Sequence, residues 1–242
     1  MYSLGIYDSG IGGLTTLIPL KKAFPNCDFC FLADTKSNPL GTKTPLEIIK
    51  TVNEGLEHLK TISHIQVVAC NTASTVVKPK GAYLLKPNLK NLNPESTLIL
   101  ATPATSTALK LNELGYGIGD TKNLATAVEI LAETAFKTQD ISVFERLENT
   151  IKTIVDTVIS TRKIDTIYLG CSHYLYFKFL LKKLYPTINI LDGNADLIAN
   201  LKQAKMVSGN KNTAFDFTLG NQQEKYMWLL SCLENCPHFQ DI

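Results

Sequence analysis

The chain has little of what would assign it to a special environment. Tryptophan occurs once in 242 residues, and charge is almost balanced, with 24 basic and 22 acidic side chains giving a formal +2. With no basic stripe, acidic tail or aromatic–basic interleaving, nucleic acid is not expected as a partner. No apolar run reaches the roughly 18 residues that span a bilayer, which argues against a membrane segment. The opening Met1-Tyr2-Ser3-Leu4-Gly5-Ile6 lacks a basic region, a long apolar stretch and a cleavage site. It reads as a first strand and not a signal peptide, so the chain is expected to be cytoplasmic.

A second metal-binding pair is also missing. Cys27 and Cys30 form a C-x-x-C, and Cys232, Cys236 and His238 cluster near the end, but nothing completes either set as a zinc site. Six cysteines in such a chain read as reduced thiols, and no metal is expected. What is present is a hydrophobic fraction of 45%, enough for a sizeable core. The length fits one large domain or two of about 100–150 residues.

Short apolar runs alternate with helical stretches, the pattern of parallel sheets covered on both faces by helices. Strands are expected at Ser3–Tyr7, Asp28–Ala33, Ile65–Ala69, Thr97–Ala101, Ile164–Gly170, Ile188–Leu191 and Thr213–Thr218. Helices are expected at Gly13–Ala23, Pro45–Lys60, Thr105–Leu114, Val143–Ile159, Tyr174–Leu184, Ala195–Lys202 and Gln222–Leu233. A Pro- and Asn-rich region from Lys78 to Glu95 reads as the crossing between two α/β domains. Residues 1–94 plus 205–242 would form the first and residues 95–204 the second. The second half restarts the scheme of the first: Leu98-Ile99-Leu100-Ala101-Thr102 echoes Gly5-Ile6-Tyr7-Asp8-Ser9.

Two cysteines stand out because they share one grammar. Cys70 ends Ile65-Gln66-Val67-Val68-Ala69, and Cys171 ends Ile167-Tyr168-Leu169-Gly170. Each is followed by hydroxyl- or amide-bearing residues, Asn71-Thr72 and Ser172-His173. Ligands of parallel sheets bind outside the carboxyl ends of strands, so one thiol from each half would face a common small molecule. A helix N-terminus adds thiolate character and can hold a carboxylate. Isolated cysteines are usually buried structural residues, but the matched position of the second favours function. His173 could orient or deprotonate the Cys171 thiol. A Cys–His hydrolase would leave the twin thiol unexplained.

Asp8-Ser9-Gly10-Ile11-Gly12-Gly13 follows the first strand like a dinucleotide fingerprint, with Asp34 ending the second. Thr15 occupies the third glycine position, no Gly-Lys-Ser/Thr follows, and Asp8 would repel a pyrophosphate. The glycines alone fit an ordinary strand-to-helix turn, but this leaves Asp8-Ser9 at a ligand-facing strand end unexplained.

Asp8-Ser9-Gly10-Ile11-Gly12-Gly13-Leu14-Thr15, Ala33-Asp34-Thr35 with Pro39-Leu40-Gly41-Thr42-Lys43, Ala69-Cys70-Asn71-Thr72-Ala73-Ser74 and Leu169-Gly170-Cys171-Ser172-His173-Tyr174 together resemble the glutamate racemases of the aspartate/glutamate racemase superfamily. The resemblance implies two pseudo-symmetric α/β domains around an inter-domain cleft, no cofactor, and D-glutamate supplied for peptidoglycan synthesis. It implies Cys70 and Cys171 as an acid/base pair, with Asp8 assisting the first, and His173 and Glu129 the second. Ser9, Asn71, Thr72, Thr102, Thr105, Ser172 and the Pro39-Leu40-Gly41 backbone would contact a small amino acid substrate. A homodimer fits the family, although no stripe in the sequence marks its interface. Leu40 stands where the family usually has Tyr, Ser172 replaces Thr, and the stretch from Ser74 to Thr97 is short. An aspartate or other small amino acid racemase, or a homologue that binds without turnover, therefore stay open as alternatives.

Overall fold

A computed structural model describes residues 1–119, 121–216 and 222–239. It is an α/β protein built on two sheets. Strands β1 (Tyr2–Asp8), β2 (Phe29–Ala33), β3 (Ser63–Val68) and β4 (Ala82–Leu84) enter the first sheet. Strands β5 (Thr97–Ala101), β6 (Gly117–Ile118), β7 (Thr166–Gly170) and β8 (Asn189–Asp192) form the second, and β9 (Thr213–Asp216) returns to the first. The orders are β4-β3-β1-β2-β9 and β6-β5-β7-β8. Every pairing among them is parallel. Strands β2 and β5 are buried at all five positions, which explains why they read as apolar runs and not as alternations.

The covering helices are α1 (Leu14–Ala23), α2 (Pro45–Ile62), α3 (Asn71–Val76), α4 (Pro103–Ala108), α5 (Leu124–Thr138), α6 (Glu148–Ile159), α7 (Lys178–Leu184), α8 (Asn194–Leu201) and α9 (Gln223–Asn235). Helix α2 shows how local sequence sets them. Thr44 and Glu47 form a reciprocal capping box, Pro45 opens the first turn, and Ile48, Val52, Leu56 and Leu59 make one buried stripe. One core cluster joins Leu4, Ile6 and Phe31 of the first sheet to Leu98, Ile167 and Leu169 of the second. The halves are therefore packed together and not merely tethered.

Several elements depart from the sequence expectation. Helix α5 was not anticipated, because its buried face of Leu124, Val128, Ala132 and Ala135 is half alanine and gives weak contrast. The helix expected at 105–114 is shifted: Thr102 caps it, Pro103 opens it, and it stops at Ala108 shortly before Lys110 turns left-handed at φ 55°. The stretch from 143 begins as a 3₁₀ coil, Ile141–Leu147, before α6 takes over. The stretch from 174 lies in another, Ser172–Phe177, before α7. All six residues of that coil are buried, so packing on every side holds a tighter turn that no one-faced stripe would specify. The crossing region contains β4, paired to β3 through Gln66 and Ala82. Phe217 and Thr218 of the last expected strand lie outside the described residues.

Candidate active site

The site forms where the carboxyl ends of both sheets meet. In the first sheet Tyr7 is level with Val68, so two residues further on Ser9 is level with Cys70. In the second, Ala101 is level with Gly170, so Thr102 is level with Cys171. The residue or two beyond each cysteine then reaches across to the other half. Thr72 Oγ1 lies 2.9 Å from Thr102 Oγ1 and 3.3 Å from Thr105 Oγ1. Ser172 Oγ donates to Asp8 Oδ2 at 3.2 Å. Ser9 Oγ sits 3.7 Å from Cys70 Sγ. Both thiols are buried and unoxidised, at 6% and 5% exposure, so the site is closed to solvent.

The two thiols have different neighbours. Burial first, and then the Asp8 carboxylate, push the Cys70 thiol up to about 12. Cys171 Sγ is 3.9 Å from His173 Nδ1, and His173 Nε2 is 2.7 Å from Glu129 Oε1. Burial opposes charge on His173, but the Cys171 contact and the Glu129 carboxylate together hold it well above the ordinary histidine range. The imidazolium therefore sits between a sulfur and a carboxylate. Glu129 Oε1 also accepts from the Ile11 N–H at 3.0 Å, tying α5 to the turn after β1. The same partners hold the Glu129 carboxyl below its usual range despite its burial. Asp8 moves the other way: burial raises it to about 6, although His173 and the Gly10 N–H, 2.7 Å from its Oδ1, work against the rise.

The glycine turn acquires a physical reason here. A Cβ on Gly12 would overlap Ser172 Oγ and lie 2.6 Å from His173 Nδ1, and one on Gly10 would overlap Glu129 Oε1. These glycines let the second half press onto the first. Asp34 is engaged structurally, accepting from Tyr7 OH at 3.2 Å. Leu40 is buried in a cluster with Tyr7 and Cys70, and Gly41 lies against Thr102. Pro39 lines a neighbouring cavity of about 450 Å³ together with Glu129. Asn71 is 2% exposed, yet both its side-chain Oδ1 and Nδ2 lack a hydrogen-bond partner among the described residues. A buried amide with neither group satisfied is uncommon and calls for a partner.

Of the residues expected at the site, the structure brings Ser9 to Cys70, Thr72 to Thr102 and Thr105, Asp8 to Ser172, and Cys171 through His173 to Glu129. Pro39 instead lines the neighbouring cavity, and the Asn71 amide meets no hydrogen-bonding partner among the described residues. Sequence reasoning missed Thr15 and Tyr176. Thr15 Oγ1 donates to the Ser172 carbonyl at 3.1 Å, and Tyr176 OH donates to the Ile11 carbonyl at 3.1 Å. The hydroxyl at the failed third glycine position was the available signal for Thr15. Tyr176 offered none, because its partner is 165 residues away.

Comparison with known proteins follows the same line. No family model matches the chain. It is 31% identical over 229 residues to the glutamate racemase of Halothermothrix orenii, covering 86% of this chain and 87% of that one. It is 30% identical over 228 residues to the glutamate racemase of a Sulfurihydrogenibium species, covering 84% and 83%. Its fold matches the crystal structure of Escherichia coli glutamate racemase in complex with L-glutamate and the activator UDP-MurNAc-ala. That match has a TM-score of 0.75 at 22% identity and covers 94% of each chain. With sequence relatives at this level over most of both chains, the protein belongs to the glutamate racemase family and is an isomerase.

Proposed function

We propose that the protein interconverts L- and D-glutamate without a cofactor, using Cys70 and Cys171 as acid and base on opposite faces of the α-carbon. The observation that carries this is a pair of buried thiols at corresponding strand ends of the two sheets, Cys70 beside the Ser9 hydroxyl and Cys171 beside the His173 ring. The α-hydrogen of an amino acid is very weakly acidic, so its removal needs fixed geometry and charge stabilisation. In one direction the Cys171 sulfur, beside the His173 cation, takes the hydrogen as a proton. The Cys70 thiol, kept protonated by burial, delivers its own proton to the opposite face. The reverse reaction exchanges the roles, so no net proton or electron is consumed.

Asp8 would meet the substrate ammonium, being ionised above about pH 6. The Asn71 amide, the first N–H groups of α3 and the Thr72–Thr102–Thr105 hydroxyls would hold carboxylates. With both sulfurs at the closed seam, substrate enters when the two halves part, taken as residues 1–94 plus 205–242 and 95–204. In this reading the enzyme works as a cytoplasmic homodimer, and its D-glutamate supplies peptidoglycan precursors.

The test is racemisation of each glutamate enantiomer by the parent and by Cys70→Ala and Cys171→Ala. Each substitution should lower the rate by at least about 10²–10⁴-fold, the usual size of a general acid–base contribution. Parental activity in either variant sinks the two-thiol mechanism. Turnover of aspartate in preference to glutamate by the parent would reassign the substrate.

A further inference from the structure

Beside the site lies a buried lysine that the chemistry so far does not use. Lys225, on α9, is 6% exposed, and lysines are rarely buried to that degree unless paired. Its Nζ is 3.3 Å from Glu133 Oε2 on α5 and 5.7 Å from the Tyr226 ring centroid. Glu133 is a poor reason to bury a cation. Its side chain is 42% exposed, and it also pairs with Lys137 at 3.2 Å.

One helical turn earlier on α5 stands Glu129, whose side chain is only 16% exposed. Its Oε1 receives both the Ile11 N–H and His173. Glu129 and Lys225 line the same 450 Å³ cavity, with Tyr226 beside them. The Lys225 charge also contributes to holding the Glu129 carboxyl below its usual range. Helix α9 follows the strand that returns to the first sheet, whereas Glu129 and His173 come from the second half. The lysine therefore brings its charge across from one half to the other.

Building on the racemase reading, we propose that Lys225 is a positioning residue: it pairs with Glu133 one turn along α5, and its charge acts across the shared cavity on the Glu129 carboxylate, which in turn aims His173 at Cys171. Without that charge, the Ile11 N–H and His173 alone hold the Glu129 carboxylate, His173 is aimed less firmly, and proton transfer on the Cys171 face slows while substrate binding is little affected.

The test combines kinetics with ¹⁵N spectra of the histidine rings, of which the chain has four. Lys225→Met keeps the apolar stem and removes the charge. It should displace the His173 ring signals and lower kcat about 10- to 100-fold, the range produced by small misplacements of a catalytic group, with KM nearly unchanged. Lys225→Arg should recover most of both. Glu133→Gln removes the exposed partner and should leave both near parental. Unmoved His173 signals in Lys225→Met, or equal displacement in Glu133→Gln, overturn the proposal. If Lys225→Met does not fold, Lys225→Gln is read in the same way. The spectra need no turnover, so an inactive parent counts against the racemase reading, while the His173 signals still decide the role of Lys225.

Discussion

Asp8 is fully enclosed between the turn after β1 and Ser172, and its carboxyl is raised by burial to about 6 from an ordinary 3.8. That places a stability cost on the residue with a definite sign. Between about pH 4 and pH 6 the unfolded chain releases this proton while the folded chain keeps it. The folded state therefore loses stability as pH rises through that window, up to about 3 kcal/mol above it. Asn at this position keeps an oxygen for the Gly10 N–H and carries no charge. Asp8→Asn should accordingly be more stable than the parent at pH 8, by about 2–3 kcal/mol in denaturant titrations, and equal to it at pH 4. Its racemase activity should fall by at least about 10²-fold if Asp8 is, as proposed, the partner of the substrate ammonium. A variant equal in stability to the parent at both pH values would contradict the account of Asp8. The residue keeps a charge that the fold alone would discard, as expected at a site selected for chemistry over stability.

At the scale of elements, the site depends on how closely the turn of residues 10–13 approaches the coil of residues 172–177. Gly12→Ala must displace Ser172 and His173 or open the seam between halves. Overpacking of this kind costs about 1–3 kcal/mol. It should lower the melting temperature and abolish most turnover together, whereas Thr107→Ala, on α4, should do neither. Turnover at the parental rate in Gly12→Ala would show that the seam is looser than described. The same two elements show what the sequence discloses. The strands leading to Cys70 and Cys171 were legible because the short apolar runs Val67-Val68-Ala69 and Ile167-Tyr168-Leu169-Gly170 fit a buried parallel strand. The Gly10-x-Gly12 turn was visible as a turn, but the reason for its glycines lay in Ser172, His173 and Glu129, more than 100 residues away. Helix α5 stayed hidden behind its alanine face although it carries Glu129, which only the family resemblance suggested. The 3₁₀ coil after Cys171 was hidden because burial on all sides erases periodicity.

For the whole molecule, two parallel sheets packed end to end solve a problem that one sheet cannot. A planar carbanion has two faces, and the carboxyl edge of a single sheet approaches a ligand from one side. In the proposed mechanism a second sheet with its own strand-end cysteine supplies the other, and the shared core of Leu4, Ile6, Leu98 and Leu169 holds the two sheets together. The measurement that tests this most directly is hydrogen exchange at the α-carbon during turnover in deuterated water, starting separately from each enantiomer. With two sulfurs, the first product formed carries solvent deuterium, and the unreacted enantiomer keeps its original hydrogen. A product that retains the hydrogen of the substrate, or deuterium appearing equally fast in unreacted substrate, would mean that one group serves both faces.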